Sequence, residues 1–182
     1  MEKLISRRDL EFLLYEVLDV EALTQRERYR DHSRETFKDT LDVAYRIAVE
    51  QFATHNKKND QEEPWFDGER VHTNPEIKAA LEAYRKAGLF AATHDYALGG
   101  IQLPYVIATA YGALFKAANI ATASFALLTA GNANVLRKYG SPDQQKKYLL
   151  PQLEGRFFGT MCLSEPHAGS SLTDLLTRAE PQ

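Results

Sequence analysis

Apolar residues recur every three or four positions through most of this chain, and the recurrence is cut at a few Gly, Pro and Asn positions. Leu10, Leu13, Leu14, Val17 and Leu18 hold helical spacing behind Ser6, with Asp9 three residues on in the manner of a capping box. Thr24 and Glu27 repeat that box before a short charged segment. Over about 33–54, Phe37, Leu41, Ala44, Ala48 and Phe52 form one apolar stripe. Lys38, Asp39, Asp42, Arg46 and Glu50 form the opposite, solvated face. Residues 55–74 lose the pattern, are polar and carry Pro64 and Gly68, which predicts an exposed connection. Asn74-Pro75 supplies a cap and an N1 proline for the next helix, and Gly88 stops it.

A loop, HDYALGGIQLP, leads to residues 104–119, which are apolar nearly all round and predict a buried helix. A further helix over about 124–139 ends at Gly140. Ser141, Pro142 and Gln144 then give a cap, an N1 proline and an N3 glutamine. Tyr148, Leu149 and Leu153 are the packing positions of the helix they start. After Gly155 the segment RFFGTMCLSE is aromatic, β-branched and short, which favours a strand. The expected fold class is therefore mainly α: a helical extension over 1–34, a helical domain over 35–155, and over 156–182 the first strand region of a β-domain that breaks off.

Composition narrows the class. With 182 residues, 44% apolar and 26% charged, the chain predicts one globular domain or one and a fraction, with a sizeable core. A net charge of −3 gives no electrostatic case for nucleic acid. The lone Cys162 excludes an internal disulfide and a cysteine-based zinc site, and the five histidines lack metal-ligand spacing. The first twenty residues read as no secretory signal, and no apolar run approaches the ~20 residues that cross a bilayer. The expectation is a soluble, cytoplasmic protein.

The chemistry concentrates in MCLSEPHAGSS. Ser164 arrives on the expected strand, Pro166 ends it, and Ala168-Gly169-Ser170-Ser171 is a run of small residues whose amides can approach a ligand closely. Such a nest between hydroxyls is a candidate anion cradle. Composition alone favours a strand followed by a tight turn over such a cradle.

Cys162 to Ser170 resembles the flavin-contacting signature of the acyl-CoA dehydrogenase family. HDYALGGIQLP and YGSPDQQKKYLLPQLEGRFFGTMCLSEP resemble that family's Gly-Gly loop and its approach to the signature, in the same order and at similar spacing. The long N-terminal extension is similar to that of the larger bacterial subgroup, which includes 3-methylmercaptopropionyl-CoA dehydrogenase. The resemblance implies three parts: a helical domain, a middle β-domain and a C-terminal helical domain. It implies FAD as cofactor, with Ser164 and the backbone at Met161 and Leu163 against the flavin ring. Gly169 and Ser170 would lie near the pyrophosphate, and Ser170 also at the CoA arm of the substrate. The family's glutamate base belongs to the C-terminal domain, so no catalytic residue is expected among these 182, and the chain alone is expected to be inactive. An electron-transfer flavoprotein as acceptor and a homo-oligomer at full length are implied too. Two positions depart from the signature: Ser171 stands where Asp is usual, and His167 where Gly is common.

Other readings stand beside these. Glu165 is a structural residue in the family's pattern, although it sits where a general base would be useful. Cys162 reads as a small buried residue and His167 as an exposed turn residue. Residues 104–119 and 125–131 are candidates to line an acyl pocket, with ordinary core packing as the other reading. At the level of the whole chain, the alternatives are a non-catalytic helical interaction or acyl-binding module, and an acyl-CoA oxidase of the same fold.

Overall fold

The computed structural model describes residues 4–180. Its helices begin and end where local chemistry dictates. Ser6 accepts from the Asp9 amide and opens α1, Arg7–Glu11, which runs on as a π-helical turn, Phe12–Val17. Thr24 caps nothing. It lies inside a 3₁₀ segment, Val20–Gln25, where its hydroxyl donates to the Glu21 carbonyl, a local bond that competes with capping. Helix α2, Arg34–Ile47, starts at a reciprocal box: Ser33 accepts from the Thr36 amide and Thr36 from the Ser33 amide. It continues through a π turn, Ala48–Phe52, and all five apolar positions of the expected stripe are buried.

The polar stretch 55–74 is more ordered than its composition predicts. It forms α3, Asn56–Gln61, and an antiparallel hairpin of β1, Trp65–Phe66, and β2, Val71–His72. Trp65 pairs with His72 and Phe66 with Val71. The turn forms because the Asp67 carboxylate accepts from the amides of Glu69 and Arg70 while Gly68 takes a φ of +104°. Trp65 stacks on His72 with ring centroids 4.3 Å apart. Helix α4, Pro75–Lys86, is followed by Gly88 at φ +70°. Asn74 does not cap it by side chain; its amide donates instead to Asn59.

Helix α5, Tyr105–Ala118, turns directly into α6, Ile120–Tyr139, because Asn119 ends one and caps the other, accepting from the Thr122 amide at 3.1 Å. The start of α6 thus precedes the predicted one. Ser141 and Gln144 form the expected box at α7, Pro142–Gln144, which leads through a π turn into α8, Leu150–Leu153.

These helices close on an aromatic cluster. Phe115 of α5 meets Phe52 at 4.7 Å and Tyr84 of α4 at 4.9 Å between ring centroids, in tilted and edge-to-face geometry. Tyr84 in turn meets Phe90 at 4.8 Å. Leu14 and Val20 from the N-terminal segment are buried in the same core. A polar knot joins α3 to the α5–α6 junction. Buried His55 Nε2 lies 2.8 Å from the Thr122 hydroxyl, and Asn119 donates to the Phe52 carbonyl at 3.1 Å.

The N-terminal segment also grips the loop before α5. Arg28 pairs with Asp95 at 2.6 Å and donates to the Thr93 carbonyl, and His32 Nε2 lies 2.8 Å from the Ile101 carbonyl. Gly100 is obligatory in that loop, since an added Cβ would fall 2.1 Å from the His94 carbonyl oxygen.

Removing the ring at the centre of the cluster tests the core. Phe115→Ala is expected to cost about 3–5 kcal/mol in urea unfolding, while Phe12→Ala, at an exposed position, shifts stability by less than about 0.5 kcal/mol.

Candidate functional site

The signature segment is moored to α6 at its entrance. Phe158 packs edge-on against Phe90 at 6.0 Å and Phe125 at 5.8 Å. The Gly159 amide donates to the Thr129 hydroxyl at 3.0 Å. A Cβ on Gly159 would come 2.5 Å from Asn132 Cβ, so only glycine lets the backbone lie this close to the helix. Asn132 is itself fixed, accepting from buried Gln152 at 2.7 Å. Beyond this mooring the aromatic stretch forms no β-ladder among the described residues, because no neighbouring strand offers it a partner.

At Glu165 the chain reverses. The Glu165 amide donates to the Ala168 carbonyl and the Ala168 amide to the Glu165 carbonyl, a tight turn with Pro166 and His167 at its tip. The Glu165 carboxylate then holds the following strand-like stretch, accepting from the amides of Leu176 at 3.0 Å and Thr177 at 2.8 Å and from the Thr177 hydroxyl. The Leu176 amide, then Thr177, keep its carboxyl below the ordinary carboxylate range. Such a group is a clasp and a poor proton acceptor. His167 is exposed, as expected of a turn residue.

The turn brings Gly169 beside Ser164. A Cβ on Gly169 would sit 3.8 Å from the Ser164 hydroxyl oxygen, so these two positions are adjacent. Met161, Leu163, Ser164, Gly169 and Ser170 are all exposed. Among the described residues, the amides of 161–164 and the hydroxyls of Ser164 and Ser170 make no hydrogen bond within the chain. A row of free donors between two apolar side chains suits a flat, acceptor-rich ring, and the hydroxyls beside Gly169 suit a diphosphate. Cys162 was expected to be buried and is exposed, since nothing in the described chain folds over the segment.

On the far side of Phe90 lies a groove of about 230 Å³ between α5 and α6. Its floor is buried and aromatic, and its rim carries Tyr105, Thr109, Leu127 and Asn134. Residues 104–119 pack one face in the core and line this groove with another. Burial pushes the Tyr111 phenol up to about 12, and the Tyr84 phenol also lies well above its ordinary value, so both are neutral. His94, buried in the floor, escaped sequence reasoning; a single histidine ahead of a Gly-Gly loop carries no periodic signal. No group of three or more His, Cys, Asp or Glu among the described residues is placed to hold a metal ion.

With this geometry in view, comparison with known proteins is direct. The sequence profile described as Acyl-CoA dehydrogenase, N-terminal domain, matches residues 35–156, and the chain belongs to that family. It is 27% identical over 175 residues to 3-methylmercaptopropionyl-CoA dehydrogenase of Ruegeria pomeroyi, covering 96% of this chain and 30% of that protein. It is 31% identical over 177 residues to the broad-specificity linear acyl-CoA dehydrogenase FadE5 of Mycobacterium tuberculosis, covering 96% and 29%. A butyryl-CoA dehydrogenase of Syntrophomonas wolfei is 28% identical over 182 residues, with 98% and 30% covered. The chain therefore spans about 30% of the length of these curated relatives. Among the described residues, no helix is long and apolar enough to cross a membrane.

The clasp should open with acid. Because the folded-state carboxyl of Glu165 is depressed, its contribution is full above the ordinary value of 4.5 and lost as pH falls through the lower folded value. The Leu176 and Thr177 amide resonances are expected to shift together on titration below that range. In Glu165→Gln they should already lie displaced at pH 7. At the mooring, Gly159→Val is expected to cost about 1–3 kcal/mol, read as a Tm lowered by several degrees.

Proposed function

We propose that this chain forms the N-terminal part of an FAD-dependent acyl-CoA dehydrogenase that oxidises the Cα–Cβ bond of an acyl-CoA to the trans-2-enoyl-CoA. The observation that carries the reading is the row of unpaired donors at 161–164 beside the Ser164 and Ser170 hydroxyls, in a chain of this family. Bound FAD supplies a two-electron hydride acceptor for the substrate β-carbon, while the α-proton goes to a carboxylate base. The chain's own residues orient and bind. Ser164 and the amides at Met161 and Leu163 face the ring. Gly169 lets the backbone come close to the diphosphate, and Ser170 serves both it and the CoA arm. Phe158 and Gly159 fix this row against α6.

Glu165 is committed to its clasp, and the family resemblance assigns the α-proton base to a C-terminal domain outside these 182 residues. Electrons leave to a separate carrier of the electron-transfer flavoprotein kind, from a homo-oligomeric enzyme. The free Cys162 suits the reducing cytoplasm.

The 182-residue chain with added FAD, acyl-CoA and an artificial acceptor is expected to show no turnover; turnover would place the base within it and overturn the assignment. In flavin-fluorescence titrations, Ser164→Ala and Gly169→Val should each weaken FAD binding by about 3- to 10-fold, the worth of one hydrogen bond or one close approach. Unchanged affinity in both would remove the cofactor from this segment.

A further inference from the structure

The groove floor between α5 and α6 is apolar except at one end. Of its two phenols, Tyr111 donates to the Leu89 carbonyl at 3.1 Å, and the Tyr84 hydroxyl lies beside that of Tyr111. Their polar atoms face one another and the wall. His94 differs. It is 4% exposed, lines the groove, and neither ring nitrogen has a hydrogen-bond partner among the described residues. The fully enclosed side-chain atoms without a partner among the described residues belong to Tyr15, His55, Glu76 and Gln152, so the His94 nitrogens keep access at the groove and can meet a ligand there.

The backbone holds His94 in place. Its amide donates to the Ala91 carbonyl at 2.8 Å and its carbonyl accepts from Gln102 at 2.9 Å, with Gly100 pressed against it. The next residue, Asp95, is tied to both Arg28 and Arg137. Burial, and then the Arg137 charge, hold the imidazole below its ordinary pKa despite Asp95, so it is neutral and offers one donor and one acceptor.

With the α5–α6 groove as the place of the acyl tail, we propose that His94 selects tails whose far end carries a hydrogen-bonding oxygen, a hydroxyl or a carbonyl. This rests on the acyl-CoA reading above. The groove, of about 230 Å³, is large enough to take a tail of about six carbons and its terminal oxygen.

The probes are CoA, hexanoyl-CoA and 6-hydroxyhexanoyl-CoA, titrated calorimetrically into the 182-residue chain and into His94→Leu and His94→Gln. The wild-type chain should bind 6-hydroxyhexanoyl-CoA about 5- to 10-fold more tightly than hexanoyl-CoA. His94→Leu should abolish that preference and His94→Gln retain part of it. In the wild type, the His94 ring ¹⁵N resonances should shift with the hydroxylated thioester alone. If neither thioester binds better than CoA, the acyl-CoA reading fails and takes this proposal with it. If both bind equally, or the preference survives His94→Leu, selection by His94 is wrong while the acyl-CoA reading stands. Should His94→Leu not fold, unmoved ring resonances in the wild type overturn the proposal by themselves.

Discussion

The packing of Phe115 against Phe52, tilted, and against Tyr84, edge-to-face, is the contact on which the rest of the structure depends. Three helices that are far apart in sequence meet at this one ring, and each brings a buried aromatic rather than an aliphatic. Aromatic pairs add directional preference to area burial, so the crossing of α2, α4 and α5 is fixed as well as stabilised. From Tyr84 the packing passes to Phe90 and from Phe90 to Phe158. The signature segment has no sheet to belong to among the described residues, and it takes its position from this chain of rings and from the Gly159–Thr129 bond.

The N-terminal segment has a second task beyond its share of the core. Arg28 and His32 reach the loop that precedes α5, and Arg137 of α6 reaches the same Asp95 from the other side. These ion pairs are half-exposed and add little stability singly. Their use is geometric, since they hold the Gly-Gly loop over the end of the groove. Leu14 and Val20 anchor the segment itself, which explains how so polar a stretch keeps its arginine on target.

Much of this was legible in the sequence. The stripe from Phe37 to Phe52 needed only periodicity, and the Ser141 box and the Gly88 stop needed only local rules. The mainly helical class followed from them, and the signature from Cys162 to Ser170 led to the family. What the sequence concealed had non-local causes. Thr24 and Asn74 look like caps, but the Glu21 carbonyl and Asn59 compete for their side chains. The hairpin at 65–72 hid in a polar run because its order comes from one carboxylate, one glycine and a stacked Trp–His pair. Cys162 looked buried because its neighbours suggest a covered strand. The isolation of His94 can be read only from what fails to surround it.

Phe90 is shared property: one face floors the groove and one edge meets Phe158. The groove and the signature segment thus share one ring. Enlarging the groove by trimming Phe90 would also withdraw the prop behind Phe158. Widening of the groove therefore has a cheaper route along the rim, at Thr109 or Leu127, than through the floor, and sequence drift should be freer at those rim positions than at residue 90.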